Sequence, residues 1–426
     1  MSAPLPAWRR ALVLATLMFA GEVIFSLPFH VARFFRPTVL AAFGIDNAAL
    51  GDAYAVYGLA AMLSYFPGGL LADRFPPRRL MAFALIATAA GGLVFAGLPT
   101  GTELKLLYGW WGMTTILPFW AALMRATREW GGEFAQGRAF GALDAGRGLV
   151  AAALAAIAVG LLERQLMGGG ATAAGLREVI LFYAALTAAA ALACMLLPAD
   201  GRAPAPRAAP AGSLLARLAS ACRLPQLGAQ AAIVVAAYCG YKGIDNYALY
   251  AVQVLGMDEI EAARFVAAGA WLRPVAALLA GMLADRARPS TSLAALFVLA
   301  ALSCALAAAA GLPGLAAGLL AANLALSMAA VYGLRGVYFA LLAEAGVPGP
   351  RTGTAVGIIS VVGYTPDVFF APLAGRLLDA APGAAGHRLY FLLLGLIALG
   401  GAAASLLLRR RLQRLGLPRE IGRFIH

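Results

Sequence analysis

Charge is scarce in this sequence. Only 12% of its 426 residues are charged, against about 25% in an ordinary soluble domain. That shortage excludes a typical water-soluble enzyme and a disordered chain. Lysine is nearly absent, found only as Lys105 and Lys242 among 33 basic residues. The four cysteines, Cys194, Cys222, Cys239 and Cys304, have neither disulfide nor metal-ligand spacing, and three sit in apolar runs, where cysteine acts as a small hydrophobe. The glycine pairs, such as Gly131-Gly132, lack the Gly-Lys-Ser/Thr of a phosphate loop. No nucleophile–base spacing appears. An enzyme, a cofactor and a metal site are therefore not expected.

Apolar residues are abundant: 62% of the chain, with a mean hydropathy of +0.82. A bilayer-spanning helix takes about 20 residues, so the chain reads as an all-α integral membrane protein. Twelve spans are expected near 11–42, 50–72, 79–98, 104–126, 138–162, 178–197, 227–254, 261–284, 290–310, 313–342, 352–379 and 388–408. A proline- and arginine-rich stretch with Pro204, Pro206 and Pro210 divides them. The expected organisation is a six-helix bundle over 1–198, a cytoplasmic linker over 199–225, a second bundle over 226–410 and a cytoplasmic tail over 411–426.

The net charge of +13 would suggest nucleic acid for a soluble protein. Here it fits the excess of Lys and Arg in cytoplasmic loops. With the N-terminus inside, inner loops and tails hold 21 basic residues. Outer loops hold seven: Arg36, Lys105, Arg164, Arg177, Arg264, Arg376 and Arg388. Both termini are expected in the cytoplasm of a bacterium, with the protein in the inner membrane. The first apolar run follows Trp8-Arg9-Arg10 without a cleavage-site pattern, so no cleaved signal is expected.

The halves share a repeat. Gly68-Gly69-Leu70-Leu71-Ala72-Asp73-Arg74 recurs 212 residues later as Ala280-Gly281-Met282-Leu283-Ala284-Asp285-Arg286, and Gly44-Ile45-Asp46 recurs at the same offset as Gly256-Met257-Asp258. Glycine admits close helix approach. Asp and Arg at a helix end can pair with a neighbour and be released. Gly69, Asp73, Arg74, Gly281, Asp285 and Arg286 are thus expected to form a conformational latch.

Nine ionisable residues interrupt apolar runs: Arg33, Arg147, Lys242, Arg273, Arg335, Glu22, Asp144, Asp245 and Asp367. Each costs about 2.5–3.5 kcal/mol at a helix centre, so they must line a wet cavity or pair. Asp144 with Arg147, and Lys242 with Asp245, lie three apart on one face. These pairs read either as structural or as part of a site. Glu22 reads as a proton carrier or as a partner for Arg147 or another cation. Glu22, Ser26 and Arg33 form one stripe; Tyr238, Lys242 and Asp245 form another; Ser360, Tyr364 and Asp367 repeat its spacing. Five cations against four acids leave a positive surplus, which suits an anion. Arg33 and Lys242, one from each half, are the expected anion holders. His30 reads as a packing residue more than a proton site, and Trp110, Trp111 and Trp120 as anchoring or core residues more than a ligand platform.

The paired Gly-x-x-x-Asp-Arg motif over two six-helix halves resembles the major facilitator superfamily. His30-Val31-Ala32-Arg33-Phe34-Phe35, Tyr238-Cys239-Gly240-Tyr241-Lys242-Gly243-Ile244-Asp245, Gly353-Thr354-Ala355-Val356-Gly357, Gly363-Tyr364 and Leu377-Leu378-Asp379 look like its organophosphate:anion antiporter branch. The likeness is greater to uncharacterised bacterial relatives of that branch than to its sugar-phosphate importers. In the branch an arginine on helix one and another on helix seven bind the phosphoryl group. Arg33 stands at the first position and Lys242 at the second. The helix-five histidine of the branch falls at Asp144, with Arg147 one turn later.

The resemblance implies a secondary transporter for a small organic anion: a phosphate ester, sulfonate or carboxylate. The solute would be exchanged for an inorganic anion or coupled to protons. Arg33, Lys242, Arg147, Tyr238 and Tyr364 would bind substrate, and Glu22, Asp144, Asp245 and Asp367 would balance charge or couple. A monomer in the lipid bilayer is expected, with no nucleic acid partner. A proton-coupled exporter of hydrophobic compounds and a non-transporting membrane receptor are the alternatives.

Overall fold

The computed structural model describes residues 6–131, 136–197, 225–309, 316–345 and 359–414. Most of the linker, the end of the tail, Cys222 and the Gly353–Gly357 motif lie outside them. Among the described residues every regular element is helical. We number the passes α1 (Ala7–Val23, continued by Ser26–His30, Val31–Phe34 and Arg36–Phe43), α2 (Asn47–Arg74), α3 (Pro77–Ala96), α4 (Gly101–Thr114, Thr115–Trp120, Ala121–Gly131), α5 (Gln136–Met167) and α6 (Thr172–Met195). Then come α7 (Pro225–Gly243, Ile244–Asn246, Tyr247–Gln253), α8 (Glu259–Ala270, Leu272–Arg286), α9 (Pro289–Ala308), α10 (Ala317–Val337, Tyr338–Ala340, Leu341–Glu344), α11 (Pro366–Ala380) and α12 (Ala384–Arg414).

The helix ends follow from sequence. Gly44 and Gly256 both take positive φ, +61° and +72°, a conformation glycine adopts without strain. Two residues on, Asp46 accepts from Ala49 N at 2.7 Å, and Asp258 accepts from Ile260 N and Glu261 N, each at 2.8 Å. The Glu261 carboxylate in turn accepts from Asp258 N at 3.0 Å, closing a capping box. The Gly-x-Asp repeat is thus a stop-and-start turn: a left-handed residue ends one helix and a carboxylate caps the next.

Two passes, α1 and α4, contain a π-helical turn. Ser26–His30 and Thr115–Trp120 are π-helical turns carrying Pro28 and Pro118. Proline lacks the N–H that an α-helix interior needs, and a π turn is one way to absorb that loss. Ala7–Val23 and Ser26–Phe34 meet at a 41° bend.

By their contacts the described residues fall into two compact units. One lies within Met1–Arg207 and Met257–Trp271, the other within Ala208–Gly256 and Leu272–His426. In the first, Met257–Trp271 is tied in by Arg264, which pairs with Glu163, and by Thr38 Oγ1 donating to Glu259 at 2.5 Å. Its core holds an edge-to-face chain of Tyr54, Tyr108, Trp111 and Phe95, with successive centroids 5.2–5.3 Å apart. Gly91 makes room for this chain: a Cβ there would sit 2.6 Å from Trp111 Nε1. In the second unit, Tyr390 donates to Gly243 O at 2.7 Å and accepts from Asn246 Nδ2 at 3.1 Å. That network holds the α7 break at Ile244–Asn246.

The outward faces are apolar. Leu63, Phe83, Leu93, Leu192, Leu302 and Leu396 are exposed, as lipid contact requires. Arg36, read above as an outer-loop charge, is instead buried, with Nε donating to Asn47 Oδ1 at 2.9 Å. The chain turns back into helix at Arg36 rather than leaving the fold, so the side chain is held between α1 and α2.

Candidate functional site

Each unit contains a buried charge cluster. In the first, Glu22 of α1 is 2% exposed. Arg147 Nε of α5 donates to its Oε2 at 3.0 Å, and His30 Nε2 lies 3.3 Å from its Oε1. Ser26 Oγ lies 3.3 Å from His30 Nδ1. With Nε2 donating to the carboxylate, Nδ1 accepts from the hydroxyl, so one neutral tautomer satisfies both bonds. The Arg147 guanidinium also stands 5.6 Å from the Phe25 ring and 5.7 Å from the Trp120 ring, within cation–π range.

Close packing of α1 on α5 makes this cluster reachable. A Cβ at Gly146 would lie 2.2 Å from Met18 Sδ, and one at Gly21 would lie 3.3 Å from Arg147 Cδ. Glycine at both positions lets the backbones approach until a short carboxylate meets an arginine on the next helix.

The carboxylate partner of Arg147 is therefore Glu22, on another helix. Asp144, three residues before Arg147, is exposed on α5. Arg33 is buried, 6% exposed, in the Val31–Phe34 segment of α1.

The second unit gathers five of the sequence-predicted residues. Lys242 Nζ lies 3.2 Å from Asp245 Oδ2 and 3.4 Å from Asp367 Oδ1. Tyr238 donates its hydroxyl to both oxygens of Asp367, at 3.1 and 3.0 Å. The Tyr364 ring packs edge-on against Tyr238 at 4.9 Å. Arg335 of α10 stands 3.8 Å over the Tyr241 ring. Lys242 and Asp245 share a face of α7, while Asp367 comes from the first turn of α11, started by Pro366. A lone buried charge would be costly, and pairing on this scale is what permits three of them inside an apolar unit.

The motif residues lie elsewhere. Asp73, Arg74, Asp285 and Arg286 end α2 and α8 with exposed side chains. A Cβ on Gly69 or Gly281 would meet nothing within 4 Å, whereas one on Gly68 would lie 2.7 Å from the Leu117 carbonyl. The close helix approach is made by Gly68.

Sequence reasoning read His30 as a packing residue and Trp120 as an anchoring or core residue, and did not single out Phe25. Eight residues of regular α-helix would leave His30 roughly a quarter-turn from Glu22. The wider π turn from Ser26 takes up the difference. The signal lay in Pro28 between the two polar residues.

Comparisons with known proteins agree with this architecture. The family model described as Major Facilitator Superfamily matches residues 18–371. Inner membrane protein YqcE of Escherichia coli (strain K12) is 26% identical over 410 residues, 92% of this chain and 93% of that protein. Inner membrane protein YihN of the same organism is 25% identical over 411 residues, 93% and 95%. A shorter stretch of 107 residues, 24% of this chain, is 34% identical to 22% of a probable hexose phosphate transport protein of Chlamydia trachomatis. Among solved structures, a bacterial homolog of the human lysosomal transporter Spinster, inward-facing and unoccupied, aligns with a TM-score of 0.74 at 17% identity. That alignment covers 96% of this chain and 99% of the other. The nucleoside transporter NupG aligns with a TM-score of 0.70 at 13% identity, over 94% and 99%. At these identities the solved structures speak for the fold.

Proposed function

The chain belongs to the major facilitator superfamily and is a multi-pass membrane transporter rather than an enzyme, and from that premise we propose that it carries a small organic anion across the bacterial inner membrane by alternating access. The solute is a phosphate ester, a sulfonate or a carboxylate. Arg33, Arg147 and Lys242 bind it, with Tyr238 and Tyr364 lining its path. Glu22, Asp144, Asp245 and Asp367 set the charge. The duplicated Asp73-Arg74 and Asp285-Arg286 ends act as the latch of the transport cycle. The protein works as a monomer, with two six-helix bundles over 1–198 and 226–410 and both termini in the cytoplasm.

One observation carries the reading: α1 and α7, equivalent under the repeat, each bury a cation, Arg33 at 6% and Lys242 at 3% exposure. A cation inside a membrane protein is expensive and marks a substrate or ion path by default. Arginine offers two parallel donors to phosphate, sulfonate or carboxylate, and lysine offers a point charge. The names of the relatives fit: two are inner membrane proteins, and a third, matching a quarter of the chain, is a probable hexose phosphate transport protein.

The test is flux into proteoliposomes loaded with inorganic phosphate, offered sugar phosphates, sulfonates and carboxylates. Uptake of at least one class, lost in Arg33→Ala and in Lys242→Ala while both proteins still fold, is expected. Normal transport in both variants would refute the site. Transport driven by a pH gradient and indifferent to ligand charge would make the protein an exporter of hydrophobic compounds. Binding without flux would make it a receptor.

A further inference from the structure

We propose that the second unit holds one anionic phospholipid, with an acyl chain in a cavity walled by α7, α11 and α12 and its phosphate on Arg411 and Arg414 at the end of α12. The lipid is no substrate, and the site stands whichever solute is carried.

The cavity measures about 710 Å³, within the range of sites that enclose small organic ligands. Its wall is Leu, Val, Ile, Phe, Ala and Gly with one thiol, that of Cys239. Among the described residues no charged side chain lines it. An anion would be stripped of water there without gaining a partner, whereas a hydrocarbon chain would not. The shape also fits a chain. On α7 the wall runs from Leu227 through Ala231 and Val235 to Cys239, about 18 Å of helix.

Glycine opens this slot. A Cβ on Gly228 of α7 or on Gly400 of α12 would meet nothing within 4 Å, so neither glycine is there to let helices touch. Gly401 differs: a Cβ there would lie 2.5 Å from the Phe297 ring of α9. Gly401 serves packing, while Gly228 and Gly400 leave space. At the rim Val362 and Phe369 are 43% and 44% exposed, so the slot is open on its α11 side. Water in so apolar a slot would lack partners, and the apolar medium around a membrane-spanning chain is lipid.

The headgroup contact comes from α12. Arg411 and Arg414 lie eleven and fourteen residues past Gly400, close to three and four turns, so they share the face that lines the cavity. Both are exposed. Arg411 stands about 16 Å along the helix from Gly400, and the hydrocarbon of one leaflet is about 15 Å deep. A lipid whose phosphate reaches Arg411 therefore sends its chain to the level of Gly400. Arginine grips a phosphate through two parallel donors, and basic residues at a membrane surface draw anionic lipids. Arginines at a helix end are common anchors; the cavity on the same face is what turns an anchor into a site.

The cavity also borders the buried charge cluster. Cys239 precedes Lys242 by three residues on α7, and Phe369 follows Asp367 by two on α11. A lodged chain therefore braces the two helices whose side chains meet at 3.4 Å, Lys242 and Asp367.

The test uses the full chain, delipidated in detergent, with phosphatidylglycerol, phosphatidylcholine and free glycerol phosphate as probes. Native mass spectrometry should show one phosphatidylglycerol retained, about tenfold more tightly than phosphatidylcholine. The same lipid should raise the melting temperature as its concentration rises. Arg411→Gln/Arg414→Gln should weaken phosphatidylglycerol by about 30-fold, roughly fivefold per arginine, and leave phosphatidylcholine unchanged. Gly400→Phe and Gly228→Leu put a side chain into the slot. Each should lose the bound lipid while its melting temperature without lipid holds.

Phosphatidylglycerol with a diazirine midway along one chain should crosslink to peptides holding Val235–Cys239 and Ile397–Gly401, and Gly400→Phe should abolish those adducts. Adducts spread over all lipid-facing helices, or equal retention of the two lipids, would mean annular lipid only and overturn the proposal. Phosphatidylglycerol retained unchanged in both glycine variants would refute the cavity. A thermal shift from free glycerol phosphate should not depend on the arginine pair. One that vanishes with that pair would show phosphate bound without a chain, which also overturns the proposal.

Discussion

Arg147 Nε donates to the Glu22 carboxylate across 3.0 Å, and the bond ties α5 to α1 inside an apolar unit. Removing either partner alone leaves a buried charge uncompensated, which costs about 3–5 kcal/mol in buried pairs. Glu22→Gln and Arg147→Met should each lower the melting temperature in detergent. The double variant should recover much of the loss, with a coupling of about 0.5–3 kcal/mol. Strictly additive losses would show that the two charges do not stabilise each other. His30→Gln should cost less than Glu22→Gln, because an amide can still donate to the carboxylate.

Lys242 raises the opposite problem, since its removal leaves two acids facing each other. Lys242→Ala should therefore destabilise the second unit more than Asp367→Asn does. Lys242→Ala/Asp367→Asn should regain expression and thermal stability relative to Lys242→Ala alone, but not anion flux. Thermal unfolding and uptake measured on the same preparations separate the structural loss from the functional one. If the double variant is no more stable than Lys242→Ala, the ion pair at 3.4 Å contributes nothing.

The two glycines of the first motif differ in what surrounds them. A methyl on Gly68 would sit 2.7 Å from the backbone carbonyl of Leu117, so α2 must move away from α4. Gly68→Ala should cost about 1–3 kcal/mol, as overpacking does. Gly69→Ala, which meets nothing within 4 Å, should leave stability unchanged. Reduced transport in a fully stable Gly69→Ala would point to a role in the latch. Equal melting temperatures for the two variants would contradict the helix approach described here.

Much of this architecture was legible because membranes impose simple rules. Long apolar runs give helices, and among the described residues the ranges read from the sequence overlap α1–α12; residues 313–315 and 352–358 of the tenth and eleventh ranges lie outside them. The Gly-x-Asp repeat was legible as a repeat, and its cause is a left-handed glycine followed by a capping aspartate. The Lys242–Asp245–Asp367 gathering was half legible: spacing on α7 supplied the local pair, while the approach of α11 is a tertiary fact. Partner choice in the first unit was half legible: Glu22 stood among the alternatives for Arg147 without being singled out. The i,i+3 spacing suggested Asp144 for Arg147, but Gly21 and Gly146 bring α1 close enough for Glu22 to take it. The π turn at Ser26–His30 also rotates His30 onto the face of Glu22, a shift that regular helical spacing does not anticipate.

Trp120 and Phe25 offer a way to probe Arg147 without altering any charge. Both rings lie within 6 Å of the guanidinium, and the rings themselves meet edge-on at 6.2 Å. With Nε committed to Glu22, the two rings flank the guanidinium and help to fix its orientation. If Arg147 binds substrate, that orientation is part of its affinity. A cation–π contact is worth about 0.5–2 kcal/mol, so Trp120→Leu should weaken anion binding by about 2–30-fold. Trp120→Phe, which keeps a ring, should weaken it less. Maximal flux at saturating anion should fall little in either variant, because the charge remains in place. An affinity unchanged in both Trp120→Leu and Phe25→Leu would mean that Arg147 serves only to neutralise Glu22, and the substrate role would then rest on Arg33 alone in that unit.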